Sequence, residues 1–97
     1  MTTGQYLFLV KAYRHLLESR LIPKSEAPHD HPCYSKRTAM MHCRAMLDEM
    51  ENLILADERE KAMRWLGFVQ AILWQNECFT LDELKGHNRS GKEPEKK

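Results

Sequence analysis

The sequence has little glycine, and this scarcity excludes one group of functions. Among its 97 residues, glycine occurs only at positions 4, 67, 86 and 91. We therefore expect no glycine-rich loop of the kind that cradles nucleotide phosphates. Three of the four prolines fall between residues 23 and 35, so the remainder of the chain is free to form long helices.

We also expect neither a secretion signal nor a membrane span. Lys11 and Arg14 interrupt the apolar residues near the start, and the remaining run is too short to cross a bilayer. The three cysteines, an odd number, follow no signal peptide. This pattern favours a reducing cytoplasm and free thiols, and we expect no membrane partner.

Recognisable metal and catalytic motifs are lacking as well. Histidine and cysteine are grouped in the stretch 29–33 and at positions 42 and 43, but no C-x2-C pair or second paired motif gives them the spacing of a structural zinc site. Cys33 near His29 or His31 has the composition of a nucleophile with its base, yet no orienting acid or oxyanion site can be singled out. The sequence predicts no catalytic residue, metal or cofactor, and hence no enzyme.

Net charge excludes a general binder of polyanions, because 15 basic and 14 acidic side chains leave only +1. The distribution is uneven, however: residues 1–44 carry seven basic and three acidic groups, whereas residues 45–60 carry one and six. An alternative function is therefore the binding of nucleotide or nucleic-acid phosphates by the basic half. The candidate phosphate-binding residues are Lys11, Arg14, Lys24, Lys36 and Arg37.

Helical periodicity dominates what the sequence does contain. Apolar residues at three-and-four spacing predict a first helix from Thr3 to Arg20, with a buried stripe that ends at Leu21. After the proline-rich loop, Ser35 is a candidate N-cap for a second helix that ends near Leu55. Asp57 and Glu60 resemble a capping box for a third helix. We expect a break near Ala56 rather than one continuous helix, because a hairpin lets both apolar faces bury each other.

The third helix, predicted from Glu58 to Asn76, carries two apolar stripes. One belongs to the core and includes Leu66 and Leu73. The second contains small residues at 67 and 71, although glycine inside a helix costs about 1 kcal/mol relative to alanine. We interpret the second stripe as an interface with a partner or a second copy of the chain. The candidate interface residues are Met63, Arg64, Gly67, Gln70, Ala71 and Trp74.

A second capping box, formed by Thr80 and Glu83, predicts a short last helix that Gly86 stops. The following residues are polar or charged, so 90–97 is expected to be a disordered tail. The predicted fold class is all-α, with a helical hairpin, a packed N-terminal helix and a short C-terminal helix. Residues 1–89 would form a single domain.

The motif R-W-L-G-F-V-Q-x-x-L-W at 64–74, followed by T-x-x-E-L at 80–84 and H-N-R at 87–89, resembles a group of small accessory proteins of tailed bacteriophages. The resemblance covers roughly the last third of the chain, and Ala71 departs from it where glycine is expected. The group has no assigned activity, so the resemblance implies origin rather than mechanism.

A phage origin implies a protein that acts in the cytoplasm of a host cell. From it we expect a non-enzymatic protein that binds a host protein, such as a defence component, and that self-associates as a homo-oligomer. In the alternative function, the ligand would be a phosphate-bearing signal that the protein sequesters.

Overall fold

The fold was analysed in a computed structural model, which describes residues 1–90. It contains four helices: α1 (Thr3–Ser19), α2 (Lys36–Leu55), α3 (Arg59–Gln75) and α4 (Leu81–Ser90). No strand occurs within the described residues. Helices α2 and α3 form a hairpin, and α1 packs on α2. The predicted all-α fold is confirmed, whereas the predicted tail, apart from Ser90 at the end of α4, lies outside the described residues.

Contacts between side chains establish the directions of the helices. Arg14 of α1 bonds Glu51 of α2 at 2.9 Å, and Arg44 of α2 bonds Glu18 of α1 at 3.2 Å, so these helices are antiparallel. The Tyr6 hydroxyl donates a hydrogen bond of 2.7 Å to the backbone carbonyl of Ala62. Because α3 runs back along α2, it lies beside α1 in the same direction.

The core consists of one apolar stripe from each long helix, and most of the predicted positions are buried. Burial of these side chains supplies the main stabilisation of a domain this small. The largest fully enclosed side chains are Tyr6, Leu9, Val10, Tyr13, Leu17, Cys43, Leu47, Met50, Val69 and Leu73.

Side-chain caps begin three of the four helices. Thr2 and Gln5 form a capping box at α1, and the hydroxyl of Ser35 accepts the amide hydrogen of Thr38 at the start of α2. Thr80 and Glu83 exchange hydrogen bonds of 2.9 and 3.1 Å at the start of α4. The predictions for Ser35 and Thr80 are therefore confirmed, and each cap satisfies amides that a helix leaves unpaired at its first turn.

The ends of α1, α2 and α3 share one uncommon feature. Each has a residue with positive φ just past its C-cap, and none of the three is glycine: Leu21 (φ 59°), Asp57 (φ 61°) and Glu77 (φ 63°). The amides that follow bond back across the last turn, as in Ile22 N–H to the Leu17 carbonyl at 3.0 Å. This is the Schellman arrangement, in which glycine is the usual residue at the left-handed position.

Two of these ends correct the sequence analysis. Asp57 was expected to cap α3, but its left-handed conformation makes it part of the turn after α2, and α3 begins at Arg59 without a side-chain cap. Leu21 was expected to be buried, but it is 83% exposed. The turn directs Ile22 into the core instead, beside Leu17.

Gly86 does not stop α4, contrary to the expectation. The helix continues to Ser90, although glycine inside a helix costs about 1 kcal/mol. The side chains of His87 and Asn88, just beyond the glycine, bond to α1 and α3. These tertiary contacts offset the low helix propensity at Gly86. None of the four described helices is long and apolar enough to cross a membrane.

Replacing Leu21 with glycine is expected to stabilise the protein by up to about 1 kcal/mol, because glycine occupies the left-handed region without steric cost. The midpoint of urea unfolding measures the change. The control is His15→Gly at an exposed position inside α1, which should destabilise by about 1 kcal/mol. Destabilisation by both variants would show that the Leu21 backbone carries no relievable strain.

Candidate functional site

A polar network that is buried at Tyr13, Gln70 and His87 and reaches the surface at Asn88 joins three helices. The hydroxyl of Tyr13 in α1 lies 2.7 Å from Nδ1 of His87 in α4, and Nε2 of Gln70 in α3 donates to the same hydroxyl at 3.1 Å. Gln70 and Asn88 exchange two further hydrogen bonds, of 2.7 and 3.1 Å. We call Tyr13, Gln70, His87 and Asn88 the Tyr13 network.

The hydrogen bonds of Tyr13 are all satisfied when His87 is neutral. The Tyr13 oxygen accepts a hydrogen from Gln70, and Tyr13 can donate its own hydrogen to an unprotonated Nδ1 of His87. Nδ1 is then an acceptor, and a neutral ring carries its hydrogen on Nε2. The arrangement therefore matches the neutral form of His87.

Burial affects the acid–base properties of both rings. Tyr13 is fully buried and His87 is 5% exposed. Desolvation raises the pKa of Tyr13 to about 12. It also lowers the pKa of His87 below its usual value, although the nearby Glu83 carboxylate favours the charged ring and opposes this shift. Phe79 packs edge-on against His87 at 4.9 Å between ring centroids.

The network changes the location of one candidate interface residue. Gln70 was expected on the second stripe of α3, but it is 6% exposed and lies beneath α4. The stripe was predicted from α3 alone, where nothing shows that another helix covers one edge. The one available signal was Gln70 itself, a polar residue within an apolar run. The network also gives Gln70, His87 and Asn88 of the quoted motif a structural role.

The other five candidate interface residues remain accessible. Arg64, Gly67, Ala71 and Trp74 are exposed, and Met63 is half-buried. Phe68, which the sequence analysis did not select, lies on the same side of the helix and is 52% exposed. We call the surface formed by these six residues the outer face of α3.

Several properties of the outer face are those of a contact surface. No atom lies within 4 Å of where a Gly67 side chain would begin, so packing within the described residues does not require glycine there. Phe68 and Trp74, respectively 52% and 48% exposed, flank the small residues. Within residues 1–90, the one ion pair of Arg64 is a long one, of 3.7 Å, with Glu60. Exposed aromatic side chains with an arginine are typical of interface hot spots.

A cavity of about 770 Å³ adjoins this face at the junction with α4. Its apolar wall comes from Trp74, Phe79 and Leu81, and its rim includes acidic groups at 77, 82 and 83. The outer face of α3 therefore continues toward α4 as an open, acid-edged groove.

The five candidate phosphate-binding residues do not converge. Arg14 pairs with Asp48 at 3.0 Å and with Glu51, and Lys24 also pairs with Asp48. Lys36 and Arg37 lie at the opposite end of α2 from the acidic groups that face α1. Because helices α1 and α2 are antiparallel, Lys11 is roughly 20 Å from Lys36 and Arg37 along the helix axis. A phosphate would have to displace carboxylates from two of the five cations.

The histidine- and cysteine-rich loop is attached to α2 through a histidine. The Ala27 amide donates to Nδ1 of His42 at 2.9 Å, and the His29 ring lies edge-on to the His42 ring at 6.3 Å. Within residues 1–90, no group of three or more histidine, cysteine, aspartate or glutamate side chains is arranged to hold a metal ion.

The thiols show no activation by a neighbouring base. Burial raises the pKa of Cys43 to about 12 and also raises the pKa of Cys78. Cys33 is exposed, and its thiol donates to the backbone carbonyl of Ser35 at 3.2 Å rather than to an imidazole. A reactive cysteine requires an electropositive setting that favours the thiolate.

Contrary to the expectation of no phosphate loop, the sequence contains one pattern with part of its spacing. Gly86, Gly91 and Lys92 have the spacing G-x-x-x-x-G-K, although Glu93 stands where serine or threonine is required. A phosphate loop follows a strand and precedes a helix. Residues 86–90 instead belong to α4, so this part of the pattern does not have the required structural context.

Comparisons with models of protein families, with curated proteins and with solved structures found no match.

Replacing Tyr13 with phenylalanine is expected to destabilise the protein by about 1–3 kcal/mol, because the change leaves buried groups of Gln70 and His87 without their partner. Urea unfolding measures the loss. The matched control is Tyr34→Phe, since Tyr34 is 82% exposed and should leave the midpoint unchanged. Equal midpoints for both variants would contradict a stabilising role for the network.

Asp48 is expected to make stability depend on acid pH. Lys24, Arg14 and Arg44 hold its pKa below the ordinary 3.8, so the ion pairs contribute fully above this value. Their contribution is lost as pH falls from about 4 through the lower pKa of the folded state. Urea midpoints at pH 6 and pH 3 should therefore differ less in Asp48→Asn than in the wild type.

The control for this measurement is Asp30→Asn, in the exposed loop, which should retain the wild-type difference between the two midpoints. The same reduced difference in both variants would show that the Asp48 ion pairs are not its source.

Proposed function

We propose that the protein acts by binding other proteins through the outer face of α3, and that it self-associates through this face. The observation that carries the proposal is the apolar surface of Gly67, Phe68, Ala71 and Trp74, left uncovered in a chain that buries its other long-helix stripes. Apolar side chains grouped on one helix face are favoured positions for a partner.

The composition of the face supports a protein partner. Phe68 and Trp74 offer large rigid surfaces, and the missing side chain at Gly67 leaves room for close approach of a second helix. Arg64 adds a charged group with weak intramolecular pairing. These residue types account for a large share of binding energy in measured interfaces.

The phage resemblance supports a partner from the host. Under this proposal the protein is a phage accessory protein that binds a host protein or defence component in the host cytoplasm, without catalysis. Gln70, His87 and Asn88 of the resembling motif serve the fold, whereas Arg64, Gly67, Phe68 and Trp74 of the same motif lie on the outer face. The motif thus includes residues of both the fold and the proposed surface.

The phosphate-binding alternative has less support from the geometry. Arg14 and Lys24 are paired with α2 carboxylates, and the other three candidate cations are spread along two helices. Phosphate binding at these positions would weaken with salt, whereas binding through the apolar outer face would persist.

Gly67→Leu and Trp74→Ser are expected to weaken self-association at least tenfold. The leucine side chain would occupy the space through which a second helix approaches, and the serine would remove an aromatic contact. Light scattering over a range of concentrations measures the solution mass. Both variants should remain folded, since the Gly67 side is open and Trp74 is 48% exposed.

The matched control is Phe8→Ser, which removes an aromatic side chain, 40% exposed, from α1 and should leave the solution mass unchanged. A strictly monomeric wild type would overturn the proposed self-association. An assembly that resists both α3 changes would place the interface elsewhere.

A further inference from the structure

Helix α4 covers one edge of the proposed binding surface. Its buried side chains are Leu84 and His87, and Asn88 reaches Gln70 on α3 with two hydrogen bonds. Gln70 is the member of the predicted interface stripe that the structure does not expose. Removal of α4 would join Gln70 to Met63, Gly67 and Trp74 in one continuous surface.

The attachment of α4 depends heavily on hydrogen bonds. Among residues 81–89 of α4, two side chains are buried, whereas each longer helix contributes five or six buried residues to the protein interior. The Tyr13 network is therefore a large part of what holds α4 in place.

We propose that α4 is a lid over the Gln70 edge of the outer face of α3, and that protonation of His87 in mild acid releases it. This inference rests on the proposed function, because it concerns how the same binding surface is controlled. The neutral His87 ring accepts the Tyr13 hydrogen, whereas a charged ring carries a hydrogen on Nδ1 and directs it at the Tyr13 oxygen. The Tyr13 oxygen then has hydrogens directed at it from both Gln70 and His87, and the hydrogen of Tyr13 itself loses its acceptor.

The surroundings of His87 supply little compensation for a positive charge. Tyr13 remains a neutral phenol in mild acid, and the Gln70 amide and the Phe79 ring carry no charge. Glu83, one turn earlier on α4, is the carboxylate that favours the charged ring. The groups that face His87 from the packed elements are Tyr13 of α1, Gln70 of α3, Phe79 of the connector, and Glu83 and Asn88 of α4.

The test is deuterium exchange of the backbone amides between pH 7.5 and 5.5, expressed as protection factors that correct for the intrinsic effect of pH. In the wild type we expect protection of α4 to fall by up to about tenfold per pH unit, the limit for one proton. Protection of α2 and α3 should remain constant. Unchanged protection of α4 would overturn the proposal.

His87→Gln supplies a side chain that accepts the Tyr13 hydrogen without titrating, so its α4 protection should not depend on pH. The matched control is His15→Gln, an exposed histidine of α1, which should keep the wild-type response. A response retained in His87→Gln would overturn the assignment to His87.

Should His87→Gln not fold, Tyr13→Phe replaces it. This variant removes the hydrogen that His87 accepts, so α4 should already have low protection at pH 7.5 and respond less to acid. A wild-type response in Tyr13→Phe would also contradict the proposal.

Light scattering at the same pH values tests the link to binding. Self-association should be at least tenfold stronger at pH 5.5 than at pH 7.5 in the wild type and equal at both in His87→Gln. If α4 is released at pH 5.5 but self-association is no stronger there, α4 does not control binding. The proposed function would still be decided separately, by the effect of Gly67→Leu on self-association. Absence of association at every pH would reject self-association itself, and exchange would still report whether acid releases α4.

Discussion

The hydroxyl of Tyr13 is the point at which the four-helix arrangement is completed. It is enclosed by protein, and an enclosed hydroxyl without partners would destabilise the fold. Both of its partners come from late in the sequence, Gln70 from α3 and His87 from α4. A core of apolar stripes alone would tolerate small shifts of one helix along another. The hydrogen bonds of the Tyr13 hydroxyl, in contrast, form at one relative position of α1, α3 and α4.

This constraint separates two kinds of surface on α3. The edge toward α4 is polar, and its Gln70 bonds to both Tyr13 and Asn88, which contributes to how α4 docks. The edge farther from α4 carries Gly67, Phe68 and Ala71, all exposed within the described residues, although the Phe68 ring also lies edge-on to His42. Trp74 stands where the two edges meet, beside the acid-rimmed groove. Neighbouring turns of α3 therefore contain residues that hold the fold together and residues that are available to a partner.

The sequence was sufficient for the helices and insufficient for their ends and polar contacts. Three-and-four spacing located the buried stripes because a helix repeats every 3.6 residues whatever its neighbours are. It did not locate Leu21 or Asp57, since their left-handed conformations are set by backbone bonds that close the preceding helix. Gln70 was assigned to the surface because α3 by itself does not reveal the approach of α4. The exposed part of the candidate site, from Arg64 to Trp74, followed from the same helical projection.

The separation of Tyr13 and His87 by 74 residues along the chain has a consequence for synthesis. Synthesis begins at the N-terminus, so the residues of the first three helices are made before His87. The hairpin and its apolar contacts need nothing from α4. A chain cut short before residue 87 would therefore contain most of the core without the hydrogen bond that joins α4 to α1.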